Sequence, residues 1–169
     1  MAILKCTKKC LSELKVNAEI SPGLSGDISG WHVNLIRIDR RKCLLFTHDL
    51  TLYSIFLPGL TKPEFRRIGD IFGQSLFKNL IREGLPQAHI ELFLEDIREI
   101  RFAKTDNRSV LGSMTDLTFQ IKYIVSDSGG LSNTDIVKLN HDLNRIPMRA
   151  ISGIHSIEEL RVFCKRLSR

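Results

Sequence analysis

The stretch from Lys104 to Ser113 carries the residue types of an anion-binding site. It joins a β-rich segment to the start of an amphipathic helix, where free backbone N–H groups and the helix dipole favour negative charge. Either Asp106 or Asn107 suits the N-cap position of that helix. One interpretation of the stretch is an ordinary cap with solvated charges. The other is that five of its side chains hold a phosphate or carboxylate: Lys104, Thr105, Arg108, Ser109 and Ser113.

Two other polar clusters could extend this anion site. The first is a charged turn between two β-rich runs, and the second follows a helix that ends before Pro147. Turn charges are often only solvated, and polar residues at a helix end often cap its last carbonyls. The alternative is that they contact the same ligand as the first stretch. The side chains concerned are Arg37, Arg40, Arg41 and Lys42 in the turn, and Asn144 and Arg145 after the helix.

Catalytic motifs with a known mechanism are missing from the sequence. It contains no P-loop, dinucleotide-binding glycine fingerprint, GxSxG, HExxH or EF-hand loop, and its five histidines are scattered. We therefore predict no metal and no cofactor. A metal-independent nuclease or phosphotransferase is an alternative, with a histidine as general base and basic side chains as anion stabilisers. Its residues would be His32 or His48 together with Arg37, Lys104 and Arg108.

The composition is that of an ordinary globular protein. The chain has 169 residues, of which 43% are hydrophobic and 26% charged, and a net charge of +6. These values exclude a disordered tail, a collagen-like chain and a disulfide miniprotein. The aromatic residues, 7% of the total, do not interleave with the basic clusters, so no base-stacking platform for single strands is expected. No secretory signal or membrane-spanning run is present, which predicts a cytoplasmic protein with free cysteines and no membrane contact.

Apolar periodicity predicts an α+β fold in a single domain, residues 1–169. Strands are expected near residues 2–6, 31–38, 43–47 and 52–57, with a further one at 99–104. They would form a small N-terminal antiparallel sheet, with a loop of about four residues between the second and third strands. Residues 61–169 are mainly helical, and about four C-terminal helices would pack against the sheet.

Five stretches along most of the chain carry a resemblance to a known family: residues 4–9, 31–35, 57–59, 103–114 and 143–148. The most specific is Lys104–Met114, with the sequence KTDNRSVLGSM. In these stretches the chain resembles a bacterial family of about this length that is known only as a domain of unknown function. The resemblance implies a single domain of bacterial type. It implies no activity, substrate or catalytic residue.

Among three classes of function, we expect a non-catalytic binding module for a phosphate-bearing ligand at the helix that starts near Asn107. The ligand would be a nucleic acid backbone or a nucleotide, because basic side chains and free backbone amides coincide there. The first alternative is a protein-interaction or regulatory module of toxin–antitoxin or defence type, in which the strand at residues 52–57 pairs with a partner through the sheet edge. The nuclease or phosphotransferase is the second alternative.

Overall fold

The structure is a computed structural model that describes residues 1–18 and 30–167. Its strands lie close to the five predicted positions, and the α+β class is confirmed. The strands are β1 (Ala2–Cys6), β2 (Gly30–Ile38), β3 (Arg41–His48), β4 (Ser54–Leu57) and β5 (Ile100–Lys104). The helices are α1 (Lys8–Leu14), α2 (Lys62–Arg66), α3 (Ile68–Arg82), α4 (Gln87–Ile97), α5 (Arg108–Asp127), α6 (Ile136–Leu143) and α7 (Ser156–Leu167). A short 3-10 helix, Leu131–Asn133, lies between α5 and α6.

The sheet is mixed, so the prediction of an antiparallel sheet is wrong. Its strand order is β4-β3-β2-β1-β5, and all five strands belong to one sheet. β1 runs parallel to both β2 and β5. β3 runs antiparallel to both β2 and β4. Parallel neighbours need a crossover connection rather than a hairpin. The chain between β1 and β2 contains α1, and helices α2 to α4 precede β5.

Helices cover both faces of this sheet. On one face Leu4, Trp31 and Phe46 are buried together with residues of α3, α4 and α7. On the other face Leu45 and Phe56 belong to a second core that is closed by α5 and α6. The expected packing of about four C-terminal helices is therefore incomplete, because seven α-helices are described and α1 precedes most of the sheet. Burial on both faces explains why β3 is apolar without alternation from Cys43 to Phe46.

The β2–β3 hairpin has a two-residue turn rather than the predicted four-residue loop. β2 continues to Ile38 and β3 starts at Arg41, which leaves only Asp39 and Arg40 between them. Both have positive φ angles, 49° and 63°, as a type I′ turn requires. Aspartate tolerates this conformation, but arginine is not a typical turn residue. The hairpin therefore ends in a charged turn whose two residues both have left-handed backbone conformations.

Candidate functional site

The predicted anion site lies at the N-terminal end of α5, where the free backbone amides are already used. Asn107 is the N-cap, and its side-chain oxygen accepts hydrogen bonds from the backbone N–H groups of Ser109 (2.9 Å) and Val110 (3.2 Å). The Ser113 hydroxyl donates to the carbonyl oxygen of Ser109 at 3.2 Å. Two of the donors that would have attracted an anion are thus satisfied within the protein.

The basic side chains at this end of α5 face solvent. Lys104, Arg108 and Ser109 are exposed, Thr105 is half-buried and Ser113 is buried. The five predicted residues therefore do not surround a common point. Four of them lie at the surface around the start of α5. Ser113 lies one helical turn further along and is buried.

A buried cluster of charged side chains lies directly behind this surface. The Lys5 Nζ atom is 2.8 Å from Asp49 Oδ2 and 2.9 Å from Asp106 Oδ2. The His32 Nδ1 atom is 2.6 Å from Asp49 Oδ1. The side chains of Lys5, His32, Asp49 and Asp106 are only 3%, 0%, 7% and 11% exposed. We refer to these four residues as the charge ring, since each carboxylate faces lysine with one oxygen and histidine with the other.

Four segments distant in the sequence build the charge ring. Lys5 and His32 are direct neighbours in the parallel register of β1 and β2. Asp49 follows the last residue of β3, and Asp106 lies between β5 and the N-cap of α5. Gly30 makes room for the ring, because a Cβ atom there would lie 2.4 Å from Asp49 Oδ2. A side chain at position 30 would force the aspartate out of place.

Electrostatics in the charge ring favour its ionised form. Burial acts to lower the pKa of Lys5, but hydrogen bonds to Asp49 and Asp106 outweigh it and the pKa is raised. Burial acts to raise the pKa of Asp49, but hydrogen bonds from His32 and Lys5 outweigh it and the pKa is lowered. The His32 Nε2 atom is buried without a hydrogen-bond partner among the described residues, and its nearest carboxylate oxygen, Asp106 Oδ1, is 3.5 Å away. The ring ties the start of α5 to the sheet and largely neutralises itself.

Sequence reasoning missed the charge ring as a unit, although one signal was present. Lys5 is the only charged residue in the five-residue strand β1, where all five positions are buried. A buried lysine requires a carboxylate partner. The sequence does not indicate which of the 19 acidic residues that partner is.

The opposite end of α5 meets the tip of the β2–β3 hairpin. Between the hairpin and α2, Arg40, Arg41, Lys42 and Lys62 line a cavity of about 440 Å³. Between the hairpin and the last turns of α5, Arg37 and Lys122 line a cavity of about 520 Å³. We refer to these six residues as the basic tip. The 20 residues of α5 separate the basic tip from the charge ring by roughly 30 Å.

Two acidic residues lie next to the basic tip, and each already has a partner. Asp39 Oδ2 accepts a hydrogen bond from the backbone N–H of Leu131 at 2.6 Å. Glu13 Oε1 is 2.6 Å from Lys42 Nζ. Within residues 1–18 and 30–167, no ion pair is found for the three arginines of the tip, Arg37, Arg40 and Arg41, and all three are exposed. Uncompensated positive charge therefore concentrates at this end of α5.

The third predicted cluster is engaged inside the fold. Asn144 accepts from the backbone N–H of Ser54 at 2.7 Å and donates to its carbonyl at 2.8 Å. Asn140 makes the equivalent pair of bonds with Phe56, at 2.7 and 3.1 Å. Arg145 contacts the buried Glu83 through two nitrogens, at 3.0 and 2.7 Å. These amides occupy the outer edge of β4, the strand for which edge pairing with a partner chain was considered.

The two histidines considered for catalysis lie on opposite faces of the sheet. His32 belongs to the charge ring on the α5 face. His48 is buried on the other face, where its ring centroid is 5.0 Å from Trp31 and 5.3 Å from Phe163. In the described part of the chain, no group of three or more His, Cys, Asp or Glu side chains has metal-binding geometry. All four cysteines are buried, and none of them forms a disulfide bond.

Comparisons with known proteins identify a family but no activity. None of the described helices is long and apolar enough to cross a membrane. No curated protein and no solved structure matches the chain at a significant level. The predicted membership of a family without known function is confirmed. The family model described as Domain of unknown function (DUF6933) matches residues 3–159, and the chain belongs to that family.

Proposed function

We propose that the protein is a non-catalytic binding module for a phosphate-bearing ligand, that this ligand is a nucleic acid, and that the basic tip is its contact surface. The observation that carries the proposal is the set of exposed arginines without an ion pair among the described residues, Arg37, Arg40 and Arg41, at and beside the two-residue turn between β2 and β3. Exposed cations of this kind neutralise phosphates and release condensed counterions. Binding of this kind requires neither a metal ion nor a covalent intermediate.

The distribution of the basic residues favours a polymer over a single nucleotide. A nucleotide is usually held in one concave pocket with a few convergent polar groups. Here the basic residues line two cavities on the two sides of the hairpin. Repeated phosphates along a backbone could contact both cavities at the same time.

Backbone strain at the tip supports a functional role for its side chains. Arg40 adopts the left-handed conformation with φ 63°, which glycine would adopt without steric cost. Strained non-glycine residues persist where the surrounding structure holds them, and they cluster at functional sites. Among the described residues Lys15, Asp39 and Leu52 also have positive φ angles. An arginine at this turn position supplies a charge that glycine would not.

The N-terminal end of α5 is a weaker candidate for the main contact. Asn107 takes up two of its backbone amides, and the carboxylates of the charge ring lie directly behind it. The exposed Lys104 and Arg108 remain free to contact a phosphate. We assign them a secondary contact, because a nucleic acid that crosses α5 lengthwise would reach them about 30 Å from the tip.

The test is a salt titration of nucleic acid binding, measured by fluorescence anisotropy with a labelled oligonucleotide. The variant R40A/R41A should reduce the slope of log K against log salt by about 0.7–0.9 for each phosphate contact that is lost. K165A/R166A is the control, because these two exposed basic residues lie on α7 and their removal changes the net charge by the same two units. Equal slopes for all three proteins, or no binding by the wild type, would contradict the proposal. Full competition by a mononucleotide would identify a nucleotide as the ligand instead.

A further inference from the structure

The outer face of α5 carries two aromatic rings that nothing in the described structure covers. Phe119 is 73% exposed and Tyr123 is 65% exposed. They are four residues apart, so they lie one above the other on the same helix face. Phe119 is the most exposed large hydrophobic residue in the described part of the chain. Large aromatic side chains at such exposure are unusual on a protein surface without a binding role.

The rings lie within one helical turn of Lys122, which belongs to the basic tip. Lys122 lies between the two aromatic residues in the sequence, and it lines the same cavity as Arg37. The aromatic residues and the basic hairpin are far apart in the chain, and for that reason no stacking surface was expected from the sequence. The fold brings them together, because α5 runs along β2 from the charge ring to the hairpin tip.

A glycine on the same face of α5 lacks a structural reason. Gly112 lies seven residues before Phe119, which is two helical turns. A Cβ atom at this position would meet no other atom within 4 Å, so packing does not require glycine. Glycine in a helix interior costs about 1 kcal/mol relative to alanine. A bare backbone on an exposed face permits close approach by a ligand.

We infer that the outer face of α5 binds single-stranded nucleic acid, with bases stacked on Phe119 and Tyr123 and phosphates held by the basic tip, whose Lys122 lies on the same helix. This inference rests on the proposed function and specifies its substrate class. Aromatic side chains beside a basic surface are the typical arrangement for single strands, because every base offers a face for stacking. A duplex would offer only its backbone, since its bases are already stacked.

Charge decides between this occupant and a second copy of the chain. A second copy would present the same positive charge, Lys122 included, so two copies joined through this face have no charge complementarity. A nucleic acid strand neutralises the same charges. Aromatic rings and positive charge together favour a ligand that has both aromatic bases and anionic phosphates.

The experiment compares a single-stranded oligonucleotide of about 12 nucleotides, within the usual site size, with a duplex of the same length. Phe119→Ala and Tyr123→Ala should each weaken single-strand binding by about 5- to 150-fold, the equivalent of 1–3 kcal/mol per stacked base. The salt slope should not change, because no phosphate contact is removed. Phe77→Ala, an exposed phenylalanine on α3, is the matched control and should leave binding unchanged.

Each outcome separates this inference from the proposed function. If F119A/Y123A binds single strands as tightly as the wild type while R40A/R41A binds them more weakly, stacking is refuted and the basic tip stands. If the wild type binds neither nucleic acid, both proposals fail. If sedimentation shows a wild-type dimer that F119A/Y123A abolishes, the rings form an interface between copies and the inference is overturned. Retention of the far-ultraviolet circular dichroism spectrum establishes that the variants are folded.

Discussion

The two ends of α5 use charged side chains in opposite ways. At the N-terminal end, Lys5 and His32 face two carboxylates inside the protein, so the buried lysine is paired with both of them. At the C-terminal end, the arginines of the basic tip face solvent, and the nearby Asp39 is bound to a backbone amide instead. Charge that is buried and paired positions the fold. Charge that is exposed and unpaired is available to a ligand. The charge ring should therefore govern stability, and the basic tip should govern binding.

The largest expected effect comes from removing the lysine of the charge ring. Lys5→Met keeps most of the aliphatic stem but leaves Asp49 and Asp106 without their shared cation. Breaking a buried ion pair in this way costs about 3–5 kcal/mol, because the remaining charges stay buried and uncompensated. Urea denaturation followed by circular dichroism measures the loss. Lys104→Met removes an exposed lysine at the same end of α5 and should change stability by no more than about 0.5 kcal/mol.

The comparison between the two ends would break if Lys5→Met were nearly neutral. A loss below about 1 kcal/mol would mean that the ring contributes no more than a surface pair. A second requirement concerns binding: the salt slope of folded Lys5→Met should equal that of the wild type. A reduced slope would mean that the charge ring itself contacts phosphate.

The pH dependence of stability is the next effect in size. Asp49 has a folded pKa below its ordinary value of 3.8, so its contribution is present above that value and lost as pH falls through the folded pKa. Lys5 has a folded pKa above its ordinary value of 10.5, so its contribution is present below that value and lost as pH rises through the folded pKa. Stability from the ring should therefore be complete between these two limits.

Urea midpoints measured from about pH 2 to 7 test the acidic side of this window. The wild type should lose stability below about pH 4, and Asp49→Asn should lose less over the same interval because it has no carboxylate to protonate there. Identical acid profiles for the two proteins would contradict the role of Asp49. The R40A/R41A variant should follow the wild-type profile, since its missing charges do not titrate in this range.

The same contrast explains what the sequence could predict. Three of the six residues of the basic tip, Arg40 to Lys42, are adjacent in the chain, and local charge of this kind is visible without a structure. The five strands were also found, because apolar runs and turn residues are local signals. The turn was predicted too long, because an arginine with positive φ contradicts the usual preference at that position.

The charge ring could not be predicted, because no local pattern relates its members. Lys5 and Asp106 meet only through the parallel pairing of β1 with β5, and strand direction depends on crossovers between distant segments. The proximity of Lys122 on α5 to Arg37 on β2 was missed for the same reason. Phe119 and Arg37 belong to separate elements, and only the packing of α5 against β2 brings their neighbourhoods together.

A smaller effect separates stability from binding at a single residue. Arg40→Gly relieves the left-handed strain at the turn and should raise stability by up to about 1 kcal/mol. The same change removes one charge from the basic tip, so the salt slope should fall by about 0.7 for a single strand. Arg40→Lys keeps both the charge and the strain, and should match the wild type in stability and slope. Lower stability of Arg40→Gly would show that contacts of the arginine side chain stabilise the fold, so that a role in binding is not needed to explain the residue.

The smallest effect concerns the one ion pair inside the basic tip. Glu13→Gln releases Lys42 from its partner at 2.6 Å and leaves an additional free cation beside Arg41. The pair is partly exposed, with side-chain exposures of 29% and 21%, so stability should fall by less than about 1 kcal/mol. If unpaired charge drives binding, the affinity at low salt should rise and the salt slope should increase by up to about 0.7. Glu99→Gln removes an exposed acid that pairs with Arg101 beside β5, far from the tip, and should leave the slope unchanged. Equal slopes for the two variants would mean that net charge, rather than its location at the hairpin, determines binding.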